Sequence, residues 1–313
     1  MSKLPPGRID GPWIRSMRGE KSPVDPFLPY GWFNEQELTL KGEVEEVSSI
    51  FLTNRECPYN CLMCDLWKHT TDETVPVGAI PAQLEYALEK LGPAKHLKLF
   101  NSGSFFDPKA IPVEDYARIA SLADGFNSVL VESHTSFIDE KVLEFSKILG
   151  CSIQVAVGLE TVHPEVLPLL NKGMTLAGFK EAVSYLKANG ISVRAFILLR
   201  PPKLSEVEGV EWACRSIDFA FSCGVDVCSV IPVRSGNGAL DQLASEGLFQ
   251  EPSIQSLERV LAYGVALKKG LVFADLWDLE RFSDCPECYS RRKKGLEKMN
   301  LSQAIQPTIE CRC

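Results

Sequence analysis

SSIFLTNRECPYNCLMCD, Ser48 to Asp65, runs from an apolar stretch into a loop that carries three cysteines. Residues 48–53 predict a strand. Directly after it, Cys57, Cys61 and Cys64 stand in a C-x3-C-x2-C spacing. Three thiolates spaced this way on one loop reach three corners of a cubane iron–sulfur cluster, and thiolate is the ligand such clusters take. The fourth iron is then open to chelation by an amine and a carboxylate, such as those of the methionine part of S-adenosylmethionine (SAM). The competing readings are a three-cysteine zinc site and chance clustering. Zinc sites more often join C-x2-C to a second pair or to His, and this loop holds no His.

Outward from this stretch, short apolar runs alternate with amphipathic ones, the pattern of repeated β-α units around a parallel sheet. Strands are predicted at 48–53, 96–100, 128–132, 152–158, 192–199 and 227–232. Helices are predicted at 81–91, 113–123, 139–149, 175–189 and 205–223. In the helix at 175–189, Leu176, Phe179, Val183 and Leu186 recur at helical spacing. Thr175 caps its start, and Asn189-Gly190 suits a left-handed stop. RSGNGAL follows the sixth strand, then a helix at 254–269 and a seventh strand at 271–275. Three segments result: an arm over 1–45, rich in Pro, Gly and charge, read as extended with aromatic anchors; a core over 46–275; and a Cys-rich tail over 276–313.

A length of 313 residues suits a single α/β barrel with terminal additions. Hydrophobic residues make up 45%, enough for a large core. No run of eighteen apolar residues and no secretory leader is visible, so a cytoplasmic protein without a membrane partner is expected. Eleven cysteines in so long a chain read as metal ligands and core thiols rather than as a disulfide scaffold. With 33 basic and 41 acidic residues, the net charge of −8 gives no global pull toward a polyanion.

The CPYNCLMC run resembles the signature of the radical SAM superfamily, and the likeness extends over roughly residues 48–275. The resemblance implies a partial (β/α)6 barrel, with the cysteine loop after the first strand and SAM across the carboxyl ends of the strands. It also implies a [4Fe-4S] cluster, reductive cleavage of SAM to a 5'-deoxyadenosyl radical, and an electron donor of the flavodoxin or ferredoxin type. NSGSFFD follows the second strand, where the family carries a Gly-rich turn whose backbone binds the SAM amino group. Asn101, Ser102, Gly103 and Ser104 are therefore candidate contacts. Glu132 in LVESH and Glu160 in VGLET stand where the family's polar groups meet SAM's methionine or ribose. Met63 replaces a residue that is often aromatic, and its thioether can still pack on adenine.

GLETVHPEVLPLLNKGMT, LLRPPKLSE and SVIPVRSGNGAL resemble the branch that contains the catalytic subunit of Elongator. Within that branch the chain is most similar to the radical SAM lyase of archaeosine synthesis, which breaks a carbon–nitrogen bond on a modified 7-deazaguanine of transfer RNA. The resemblance implies that kind of reaction, and transfer RNA as a candidate partner. The acidic net charge weighs against RNA, since phosphate contacts need concentrated Lys and Arg. Arg194, Arg200 and Arg234 are candidates for reading a phosphate or carboxylate at the mouth.

In the tail, Cys285-Pro-Glu-Cys288 and Cys311-Arg-Cys313 can close a four-thiolate site, either zinc or an auxiliary iron–sulfur cluster. Cys151, Cys214, Cys223 and Cys228 read as small buried hydrophobes. Of the four histidines only His134, just past Glu132, is placed to line a site. The function classes left open are a radical enzyme acting on a transfer RNA base or on a small metabolite, a non-catalytic iron–sulfur or zinc scaffold, and a metal-stabilised RNA-binding module.

Overall fold

A computed structural model describes residues 9–311. Its sheet has eight strands in chain order: β1 (Gly31–Leu38), β2 (Val44–Leu52), β3 (His96–Asn101), β4 (Ser128–Glu132), β5 (Ser152–Glu160), β6 (Ser192–Leu199), β7 (Val227–Pro232) and β8 (Leu271–Ala274). β1 is antiparallel to β2, and every later pair is parallel. Parallel neighbours need crossovers, and helices supply them on the outer face. Helix Leu176–Ala188 shows why the sequence folds this way. The Thr175 hydroxyl accepts from Gly178 N, and Phe179, Ala182, Val183 and Leu186 are buried. Gly190, just past the end, takes φ +71° at no steric cost. Helix Glu206–Ser222 opens on a capping box between Ser205 and Glu208.

The sheet is curled. Glu37 on β1 bonds Arg194 on β6 at 2.5 Å and Lys98 on β3 at 2.5 Å, and strands so far apart in the order meet only across a concave interior. Gln154 on β5 and Glu35 on β1 complete this charged knot. Burial works against the Glu37 charge, but Arg194 and Lys98 outweigh it and hold the carboxyl down at about 2.

The arm expected to be extended over 1–45 contributes β1 to the sheet, a strand the sequence reading did not place. Its inward face reads Phe33, Glu35, Glu37 rather than apolar, so the alternation that marks a half-buried strand is missing. The rest of the described arm lies on the barrel. In the short helix Gly11–Ser16, Ile14 is buried in a second apolar cluster with Leu62, Leu170, Leu198 and Leu240.

β8 ends the sheet, and its edge is covered by side chains of the C-terminal helix Pro286–Ser302 and its cap. Asn300 accepts from Ala274 N and donates to Ala274 O, both at 2.9 Å. Gln303 does the same for Val272, both at 2.8 Å. Among the described residues no helix is long and apolar enough to cross a membrane.

Candidate functional site

The cysteine loop leaves the carboxyl end of β2 and is held from several directions. Leu62 N donates to Leu170 O at 2.9 Å, and the Asn237 amide donates to Leu62 O at 2.8 Å and Cys64 O at 3.2 Å. Asn171 donates to Asn60 O at 2.8 Å. From the arm, Arg18 and Lys21 grip Glu56 at 2.6 and 2.7 Å, and the Arg18 guanidinium lies over Trp67. Burial pushes all three loop thiols up, Cys61 to about 12. They stay protonated until a metal displaces the proton, so metal loading releases protons.

Asn101 to Ser104 leave the end of β3 and face this loop. Gly103 sits at φ +152°, and a Cβ there would lie 3.2 Å from Cys57 Cβ and 3.6 Å from Cys57 Sγ. The glycine is therefore required by the approach of the turn to a loop cysteine. Ser102 N donates to Asn54 Oδ1 at 3.1 Å, and Ser104 Oγ accepts from His134 N at 2.9 Å. Both amide atoms of the buried Asn101 side chain lack a partner among the described residues.

Glu132, at the end of β4, accepts from Asn101 N at 2.8 Å, and burial raises its carboxyl to about 8. Glu160 ends β5 with φ +65°, a left-handed conformation rare for a residue with a Cβ. Its carboxylate holds the Lys172 ammonium at 2.5 Å, with both side chains buried. Burial works against the lysine charge, but the Glu160 carboxylate outweighs it and keeps its pKa raised. Gly158 makes the pair fit, because a Cβ there would collide with Glu160 Oε1 and Lys172 Nζ. Lys172 also acts electrostatically on Cys57, Cys61 and Glu132, so its charge is felt at the cysteine loop and at the end of β4.

His134 stacks on Tyr59 with ring centroids 4.0 Å apart. Its Nε2 lies 3.0 Å from Lys172 O, which only accepts, so Nε2 carries the hydrogen. Nδ1 then accepts from Ser136 N at 3.1 Å. Burial lowers the ring's pKa to about 4, which keeps it neutral.

The structure thus brings Cys57, Cys61, Cys64, the 101–104 turn, Glu132 and Glu160 to one end of the barrel. Met63 packs, half-buried, against the cluster around Leu62 and Leu240. The arginines depart from expectation. Arg194 stands near the start of β6, at the opposite end, in the Glu37 knot. Arg200 is taken up by Glu206, Gln250 and Glu251 O, and Arg234 by Asp275 and Trp277 O. Of the four remaining thiols only Cys228 is fully buried, while Cys151, Cys214 and Cys223 are half-buried.

Sequence reasoning missed Lys172 and Asn237. Both fall inside stretches that carried the family likeness, LLNKGMT and RSGNGAL, where a polar residue beside a Gly was the available signal.

In the tail, the sulfurs of Cys285, Cys288 and Cys311 lie within 4.8 Å of one another. Cys313 lies outside the described residues. At a Zn–S bond of about 2.3 Å, tetrahedral thiolates sit about 3.8 Å apart. The tail sulfurs approach that spacing. Among the described residues they are the group whose metal-ligating atoms lie this close together.

The chain's own features fit the groups that the cysteine loop implies. Cys57 faces a turn whose glycine leaves room for only a bare backbone, and the Asn101 amide, without a partner among the described residues, offers a donor and an acceptor at the start of that turn. The description "Radical SAM superfamily" matches residues 51–232. The chain is 27% identical over 289 residues to an uncharacterized protein of Methanocaldococcus jannaschii, covering 85% of this chain and 79% of that one. It is 27% identical over 271 residues to archaeosine synthase subunit beta of Methanosarcina acetivorans, covering 81% and 77%. Among solved structures, an N-terminally truncated Elp3 of Methanocaldococcus infernus shares the fold, with a TM-score of 0.51 at 17% identity over 72% of this chain and 59% of that one. More than half of the chain matches the family description, and the fold and the cysteine loop agree with it: the protein is a radical SAM enzyme.

Proposed function

We propose that the enzyme acts on a modified 7-deazaguanine base of transfer RNA and breaks a carbon–nitrogen bond there. The observation that carries this reading is the similarity to archaeosine synthase subunit beta along about four-fifths of both chains. Cys57, Cys61 and Cys64 hold a [4Fe-4S] cluster, and Asn101, Ser102, Gly103, Ser104, Met63, Glu132 and Glu160 line the SAM pocket. Cluster and SAM together supply a 5'-deoxyadenosyl radical once a flavodoxin- or ferredoxin-type donor provides an electron.

The chain's own residues set the pocket around that chemistry. Lys172 keeps one positive charge beside the cysteine loop and is fixed there by Glu160. Glu132 carries its proton below about pH 8, so at neutral pH it enters the pocket as a neutral group. His134 stays neutral and braces Tyr59 over the loop. In the tail, Cys285, Cys288 and Cys311, joined by Cys313, take a single metal ion of the zinc type. The 4.8 Å limit on the sulfur separations favours one ion over an auxiliary cubane.

The test is anaerobic reconstitution with iron and sulfide, reduction with SAM, and addition of transfer RNA bearing the modified base. The expected result is 5'-deoxyadenosine formed in step with loss of the base's side-chain adduct. SAM cleavage that transfer RNA leaves unchanged, but a small metabolite stimulates, would replace the substrate. Wild-type cluster absorbance in Cys61→Ala, in a background lacking the tail cysteines, would overturn the ligand set.

A further inference from the structure

The chain is acidic overall, with a net charge of −8, but the C-terminal helix is not. Its 17 residues include Arg291, Arg292, Lys293, Lys294 and Lys298 against Glu287 and Glu297. Arg292 is buried and bonded to Glu258 and Ile309 O, and Lys293 pairs with Glu297. Arg291, Lys294 and Lys298 are exposed. Spaced three and four residues apart, they form one stripe. Among the described residues no carboxylate pairs with any of the three, and Arg291 reaches instead to Cys288 Sγ at 3.5 Å.

The stripe stands at the chemical end of the molecule. Asn300 is level with Ala274, the last residue of β8, and Gln303 is level with Val272, so the helix runs opposite to β8. At about 1.5 Å per residue, Arg291 lies about 14 Å beyond Asn300 in the direction of the strand ends. The cysteine loop, the Asn101 turn, Glu132 and Glu160 all lie at strand ends on that side. Trp277, three residues past β8, is 64% exposed and stacks on Phe33. The tail thiols clasp the helix at its start and so fix the stripe beside the mouth.

We propose that Arg291, Lys294 and Lys298 dock the phosphate backbone of the RNA substrate while Trp277 stacks on one of its bases. A row of cations at nucleotide scale together with an exposed indole at the same end of the molecule is a combination that binds RNA without reading sequence. The proposal rests on the RNA reading above, and it answers the objection that the net charge raises. What a polyanion meets is the local arrangement of charge, and here three exposed cations stand in one row.

The test measures binding of a labelled transfer RNA transcript by the metal-loaded full chain between about 50 and 300 mM salt. Arg291→Gln/Lys294→Gln/Lys298→Gln takes three cations off the phosphate backbone, so it should flatten the log–log salt slope by about two to three and weaken binding at least tenfold near 0.1 M salt. Trp277→Ala should weaken it at least about fivefold with the slope unchanged. Lys294→Gln alone should flatten the slope by about one, which keeps the result readable if the triple variant misfolds. Removing three exposed lysines from other helices, Lys90→Gln/Lys147→Gln/Lys180→Gln, should leave the slope in place. Wild-type binding with an unchanged slope in the helix variants overturns the docking surface and leaves the RNA reading standing, as does an equal loss in the control variant. Failure of the wild-type protein to bind transfer RNA, with turnover of a small metabolite, overturns both. Selective binding of an acidic protein through the same stripe would replace the partner.

Discussion

Glu37→Gln removes one charge from the knot that joins β1 to β3 and β6, and its cost can be worked from the site. The carboxyl is held at about 2 against an ordinary 4.5. At about 1.36 kcal/mol per pKa unit, the folded state gains about 3 kcal/mol from ionising this group. The side chain is 18% exposed, so solvent screening removes little of it. The folded pKa is depressed, so the contribution is fully present above the unfolded value near 4.5 and is lost as pH falls toward 2. Urea unfolding of the metal-free protein should therefore show Glu37→Gln less stable by about 3 kcal/mol at pH 7. The gap between variant and wild type should narrow through pH 4 and 3. Thermally, about 3 kcal/mol in a domain of this size corresponds to a fall of roughly 6 °C. A gap under about 1 kcal/mol at pH 7, or one that widens in acid, would refute the reasoning and leave β1 as a strand that merely rests on the sheet.

Lys172→Met strands Glu160 as a buried lone charge, so the apo protein should lose about 3–5 kcal/mol and Lys172→Met/Glu160→Gln should recover most of it; an additive double variant would show that the pair is not coupled. Gly103→Ala places a Cβ 3.2 Å from Cys57 Cβ, so reconstituted iron should fall together with SAM affinity, and full iron content with weak SAM binding would mean that the turn and the cysteine loop move independently. Deleting residues 311–313 should release the tail metal and expose the tail to protease; elemental analysis should show about one zinc per chain beside four irons, and a count near eight irons would make the site a second cluster.

The parallel strands were legible because both faces of such a sheet are covered, so most of them carry a run of apolar residues, even where the strand starts on a polar one. VLVE at 129–132 and AFILL at 195–199 announce themselves for that reason. β1 was not legible, because what it contributes inward is charge, and Glu35 and Glu37 find their partners 60 and more residues downstream. Arg194 was misplaced for a reason the sequence did contain. It stands near the start of its strand, and in a parallel barrel the start of a strand is the end away from the chemistry. Lys172 was hidden differently, since nothing in a linear sequence distinguishes a lysine that meets a carboxylate in a pocket from one that meets water. Gly158 carried half of that information, as a strand interior has little other use for the smallest residue.

The amides of Asn300 and Gln303 finish the edge of β8 in a way that can be undone. A strand that closes a sheet commits a whole row of backbone groups, whereas here four hydrogen bonds from two side chains keep Val272 and Ala274 occupied. If the helix swings away, those N–H and C=O groups become a template for any extended chain that arrives, including β8 of a second molecule. If the tail thiols hold the metal proposed for them, their clasp at the far end of the same helix also guards solubility. Protein stripped of its tail metal by a strong chelator should self-associate through the sheet while its catalytic loop is still intact, and the first symptom of metal loss would be light scattering rather than a change in colour.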